Sequence, residues 1–290
     1  MKRMRFKQLS LSIVAASVAS LALAASASAG PPTGDYAQFD HCPLANATVT
    51  SCLYSEVTSG SFKLGTATVP INKKIVLQGG IGSDPVTFNT FFVNAVGADS
   101  LSKTGLDVPG GLLGIMQGSG FTGALLAAFE AAIHSANGVT ATAELVGPVQ
   151  ISLLSFVAGF GTALTLPVRI HLENPFLGSG CYIGSSSTPV SLALTTGTTA
   201  PPAPNTPITG NPGTVSFSPD GGITNVTGFK LVGNSFSVPA ASGCGYWPFV
   251  SLITAAVNLK EGLPAAAGNN SATLNGSQKL GNKVNVIASQ

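Results

Sequence analysis

Along this chain, short runs of β-branched and aromatic residues alternate with glycine- and proline-rich breaks, the pattern of many strands joined by turns. Phe62, Leu64, Thr66 and Thr68, then Lys73–Leu77, read as strand, break at Pro70, strand. Gly79-Gly80-Ile81-Gly82 predicts a turn, and Val86–Val96 a further strand. Beyond residue 138, Thr140, Thr142 and Glu144 alternate with Val139, Ala141 and Ala143. Val149–Val157 and Thr162–Leu172 then flank Gly159-Phe160-Gly161 as the arms of a hairpin. Val190–Leu194, Thr214–Ser218, Thr224–Val232 and Ser235–Val238 complete the expected strands. Residues 30–60 read as an irregular opening segment, and residues 262–290 as loose chain up to a last strand at Lys283–Ile287.

Two segments carry a helical period instead. Between 110 and 137, Leu112, Leu113, Ile115 and Met116 precede a glycine break, after which Leu125, Leu126, Phe129, Ala132 and Ile133 recur at helical spacing. Trp247–Leu259 is the second, with Pro248 suited to a first turn. The expected fold is mainly β, of the α+β class: an antiparallel sandwich or barrel with a helical insertion at 110–137 and a late helix near 247–260. Pro201, Pro202, Pro204, Pro207 and Pro212 mark 197–213 as an extended loop on one domain covering 30–290.

Residues 108–129 and 145–168 hold no charge. The second stretch is long enough to cross a bilayer. Gly147, Pro148, Gly159, Gly161 and Pro167 would break such a helix repeatedly, so a buried hairpin is the expectation. For the insertion there are two packings. A tight cap would put Leu125, Leu126, Phe129 and Ile133 into the core, and this is the expected one. A lid would leave an apolar cavity lined by Leu112, Ile115, Met116, Leu125, Leu126 and Phe129, open to an apolar small molecule or lipid.

Charge and composition place the chain outside the cytoplasm. Lys2, Arg3, Arg5 and Lys7 precede an uncharged run from Leu9 to Ala25 and the small-residue site Ala27-Ser28-Ala29, the order of a secretory signal peptide over 1–29. The mature chain is expected to start at Gly30 and to carry no transmembrane anchor. Four of the 13 basic residues lie in that signal, leaving nine against 11 acidic ones. With no basic surplus, nucleic-acid binding is not expected. Charged residues make up 8% of the chain, against roughly 25% in ordinary soluble domains. Ser, Thr, Asn and Gly must hydrate the surface instead, and low charge favours association with neighbours.

Cys42, Cys52, Cys181 and Cys244 all follow the signal, and an even count in an exported chain reads as two disulfides. Cys42–Cys52 and Cys181–Cys244 is the favoured connectivity. No C-x-x-C pair is present, so no metal is expected. Asn174–Ser185, Leu194–Pro202 and Gly243-Cys244-Gly245, with the upstream Cys42-Pro43, resemble a group of actinobacterial exported proteins of uncharacterised function. The resemblance implies secretion and disulfide bonding and carries no catalytic residues.

Catalytic signatures are sparse. Gly118-Ser119-Gly120-Phe121-Thr122-Gly123 matches a phosphate-binding glycine pattern but lacks the preceding strand and the later acidic residue, so no cofactor is expected. No serine lies in G-x-S-x-G. His41, His134 and His171 are unmarked by a partner, and Glu130, Glu144 and Glu173 are the available carboxylates for glycoside hydrolysis. The expected role is therefore a secreted, non-catalytic, extracellular or cell-envelope-associated protein of structural or interaction type. A carrier of an apolar small molecule or lipid, and an unrecognised secreted hydrolase, are the alternatives.

Overall fold

The computed structural model describes residues 30–84, 89–111 and 137–290. The insertion, with Leu112, Ile115, Met116, Leu125, Leu126, Phe129, Glu130 and His134, lies outside them, as do the signal segment and the glycine motif at 118–123. Among the described residues the strands are β1 (Val49–Leu64), β2 (Ala67–Pro70), β3 (Ile75–Ser83), β4 (Thr90–Asn94), β5 (Gly105–Val108), β6 (Val139–Leu145) and β7 (Gln150–Ile151). There follow α1 (Leu153–Ala158), β8 (Leu164–Glu173), β9 (Tyr182–Ile183), β10 (Val190–Leu194), β11 (Thr214–Phe217), β12 (Ile223–Gly233), β13 (Ala241–Ser242), α2 (Val250–Glu261), β14 (Ser271–Asn282) and α3 (Lys283–Ala288). One sheet runs β11-β12-β14-β1-β3-β4 with β2 also on β1; the other runs β13-β9-β8-β6-β5 with β7 and β10 also on β8. Every pairing is antiparallel. The two sheets pack together as a β-rich sandwich, the expected fold class.

The strand β8 explains the layering. Leu164, Leu166, Val168, Ile170 and Leu172 are buried, while Thr165, Pro167, Arg169, His171 and Glu173 alternate outward, the period-two signature of a half-buried strand. Facing them from the other sheet are Leu53, Val57, Leu77, Phe229, Leu231 and Leu274 in the same core. A proline in such a strand removes a ladder donor. Pro167 sits where this costs nothing: β7 pairs only as far as Thr165, β6 begins at Val168, and the Pro167 carbonyl accepts from Val146 N–H in the gap.

Several expectations need correction. The opening segment is not irregular to residue 60: β1 begins at Val49 and runs for 16 residues through the middle of its sheet. Gly79, Gly80 and Gly82 are not a turn but part of β3. Phe92, Val49 and Phe91 respectively occupy the space that a side chain there would need. The expected hairpin at 149–172 holds a helix in its first arm. Ser152 caps α1 by accepting from Ser155 N–H, and Gly159, with φ of 69°, ends it by donating to the Ser155 carbonyl. Ser235–Val238 forms only a single bridge, Val238 to Ala265. The largest correction is at the C-terminal end. Residues 271–282 form β14, paired on both sides, and 283–288 are a helix capped by the Asn282 side chain, not a strand.

The structure bonds Cys42 to Cys52 and Cys181 to Cys244, the connectivity favoured from the sequence. The first bond belongs to a small second core of Tyr36, Phe39, Val49, Ile223 and Val286, which ties the start of the described chain to its end. No helix among the described residues is long and apolar enough to cross a membrane.

Candidate functional site

Two surfaces gather side chains that could act on something outside the molecule. The first lies on the outward face of the second sheet. Glu144 and Arg169 stand directly opposite each other in the β6–β8 register. Arg169 donates from Nε and Nη2 to Glu144 Oε2, at 2.8 and 2.7 Å. Two residues further along β8, His171 stacks on Tyr182 of β9 with ring centroids 4.5 Å apart, and the Arg169 guanidinium lies 4.2 Å from the same Tyr182 ring. His171 Nδ1 is 3.3 Å from Glu173 Oε1. The structure thus brings together three residues singled out from the sequence, His171, Glu144 and Glu173, and adds Arg169 and Tyr182, which sequence reasoning missed. The period-two outward alternation of β8 was the signal that could have found Arg169.

Within this cluster the strongest contact is internal, the Glu144–Arg169 pair. Glu144 is held as an ion pair, and the Tyr182 ring is in contact with both His171 and Arg169. His171 Nε2 is buried without a hydrogen-bond partner. Elsewhere, His41 sets Nδ1 3.1 Å from the Val96 carbonyl oxygen, and its Nε2 lies 3.5 Å from Asp40. No serine hydroxyl bonds either imidazole among the described residues, and no group of three or more His, Cys, Asp or Glu side chains there could hold a metal ion.

The second surface surrounds the Cys181–Cys244 disulfide, whose two cysteines are fully buried. Gly245 N–H donates to the Leu177 carbonyl, and the backbones at Gly180 and Gly243 come so close that a side chain on Gly243 would meet the Gly180 carbonyl. Tyr246 reaches over Gly178. Two loops are thereby locked side by side, and both present aromatic rings to solvent: Phe176 from one, Tyr246, Trp247 and Phe249 from the other. The ridge continues along α2. Only Val257 is buried in that helix, while Leu252 and Leu259 point outward. Trp247 and Leu259 are 88% and 86% exposed. Trp247 is the chain's single tryptophan, and no charged residue occurs between Lys230 and Lys260.

This is the late helix expected from the sequence; Ile253 and Val257 pack toward the core, while Leu252 and Leu259 are turned out. Burying a leucine contributes roughly 1.5–3 kcal/mol relative to leaving it in water, so the fold forgoes that stabilisation at Leu252 and again at Leu259. Contiguous apolar surface of this kind marks interaction sites, and Trp and Tyr are the residues that most often dominate binding energy.

Between the sheets lie two apolar spaces of about 50 and 60 Å³, both bordered by Phe62, Ile75, Ala143, Val168 and Leu192. Each is far below the roughly 300 Å³ at which ligand pockets begin. The residues expected to line an apolar ligand cavity lie outside the described residues. No known protein family, no curated protein and no solved structure matches the chain.

Proposed function

We propose that this is a secreted, non-catalytic protein that acts at the cell envelope through the exposed ridge Phe176–Tyr246–Trp247–Phe249–Leu252–Leu259. The observation that carries this reading is the ridge itself: aromatic and leucine side chains held out in water on loops fixed by a buried disulfide. Preorganised loops lose little freedom on binding, so more of the contact energy appears as affinity. Two disulfides support an oxidising compartment, in keeping with the export signal read at 1–29. The self-paired state of Glu144, Arg169 and Glu173 supports a binding rather than a hydrolytic role.

The test uses the mature chain and cell-envelope fragments in a co-sedimentation assay. Wild type is expected to pellet with the fragments, and Leu252→Asp/Leu259→Asp to remain in the supernatant while folding normally. Equal sedimentation of the two proteins would contradict the proposal. So would turnover of an ester, peptide or glycoside substrate that is abolished by Glu144→Gln or His171→Ala.

A further inference from the structure

A cleft of about 560 Å³ opens where the segment after β4 meets the end of the β6–β8 pair. Its size lies within the range of small-ligand sites. One wall is the segment 94–103. It is folded back on β3 by Gln78 N–H donating to the Ser100 carbonyl, Ser102 N–H donating to the Val76 carbonyl, and Ser100 Oγ accepting from Ala95 N–H. The opposite wall is Glu144, Leu145, Gly147 and Arg169. None of these residues belongs to the exposed ridge.

We infer that this cleft binds a neutral, hydroxyl-rich ligand: a short glycan segment. Its charges come as two matched pairs, Asp99 with Lys103 at 3.2 Å on one wall and Glu144 with Arg169 at 2.7 Å on the other. With each charge already paired, the lining carries no net charge and offers neither an anionic nor a cationic ligand a net attraction. A sugar hydroxyl needs no net charge. It donates to a carboxylate and accepts from a guanidinium or ammonium group, and such charge-assisted bonds are stronger than neutral ones. Arg169 is preorganised for this by its bidentate hold on one Glu144 oxygen and its contact with Tyr182, which leave further N–H groups on the guanidinium. Ala95, Ala98 and Gly147 leave the opening unobstructed, and Leu145 offers an apolar surface for the C–H face of a ring.

The experiment is saturation-transfer NMR on the mature, disulfide-bonded chain. The neutral probes are maltotriose, cellotriose and N-acetylchitotriose, run beside trigalacturonate and a chitosan trimer. At least one neutral trisaccharide is expected to bind with a dissociation constant of about 1 mM or tighter, and both charged trimers more weakly. Ala98→Tyr fills the opening from an exposed position and is expected to weaken binding at least about tenfold without lowering the thermal midpoint. Asp99→Ala, at a half-exposed position, should weaken it by a smaller factor. Three results would overturn the inference: no transfer to any neutral trisaccharide, tighter binding of a charged trimer, or binding unaffected by Ala98→Tyr. Because the ridge variants leave the cleft intact, Leu252→Asp/Leu259→Asp should bind the trisaccharide as wild type does.

Discussion

Gly276 sits at the midpoint of β14, and both neighbouring strands shift register around it, β1 between Val57 and Ser59 and β12 between Thr227 and Phe229. A side chain there would strike the Glu56 carbonyl and the Phe229 ring. Gly276→Val is therefore expected to cost at least about 2 kcal/mol, read as a lower urea midpoint with an unchanged slope. Asp220 is a second residue with a defined effect. It accepts hydrogen bonds from the Ser218 and Tyr36 hydroxyls and Gly222 N–H, which hold its carboxyl down from 3.8 to about 2. A carboxylate with a depressed folded-state pKa adds stability above its unfolded value and loses it as pH falls through the folded one. Asp220 should therefore contribute at neutral pH and progressively less between about 3.8 and 2. Asp220→Asn is expected to lower the thermal midpoint at pH 7 and to converge with wild type toward pH 2. A constant difference across that range would assign the effect to packing instead.

At the scale of elements, the sequence was legible wherever the apolar period was clean. β8, β10, β11, β12 and α2 stand close to their expected limits, and the chain from β6 to β8 forms short strands and one six-residue helix rather than a long apolar helix. Legibility failed where a strand owes its place to neighbours rather than to its own residues. β14 has Ser, Asn, Gly and Gln at positions that usually oppose strand formation, and it is fixed because β1 and β12 pair with it on both sides. β3 hid behind three glycines whose missing side chains are replaced by Phe91, Phe92 and Val49. α1 hid because six residues give too short a period to separate from a strand, leaving only its caps as a signal. Ser152→Ala is expected to cost about 1 kcal/mol through loss of that cap, measured by equilibrium denaturation. For α2 the expected contrast lies within one helix. Val257→Ala should destabilise measurably, whereas Leu252→Asp and Leu259→Asp should leave stability within about 0.5 kcal/mol of wild type, since both leucines already face water.

Across the whole molecule, the Cys181–Cys244 bond links the loop preceding β9 to the loop preceding α2 and closes a 63-residue separation around the proline-rich loop. The chain-entropy model assigns such a closure about 4 kcal/mol, more than for Cys42–Cys52 with its separation of 10. Replacing Cys181 and Cys244 by Ser should therefore lower stability more than replacing Cys42 and Cys52, and should also loosen the loops that carry Phe176 and Trp247. The candidate surfaces were legible to different degrees. The residues of α2 were visible in the sequence, but the outward orientation of Leu252 and Leu259 was not, because an apolar helical stripe reads the same whether it faces a core or a partner. The cleft was invisible, since it joins residues 94–103 to 144–169 across two sheets.

Trp247 makes the central claim directly measurable, because it is the chain's single tryptophan and stands at the crest of the ridge. Its fluorescence is to be recorded for the free mature protein and during titration with envelope fragments, with acrylamide quenching at each point. The free protein should emit as a water-exposed indole and be fully quenched. Added fragments should shift the emission to the blue and protect it from acrylamide, and Leu252→Asp/Leu259→Asp should abolish both changes. A tryptophan shielded in the free protein, or one that stays red and fully quenchable while the protein is bound to the fragments, would contradict the account.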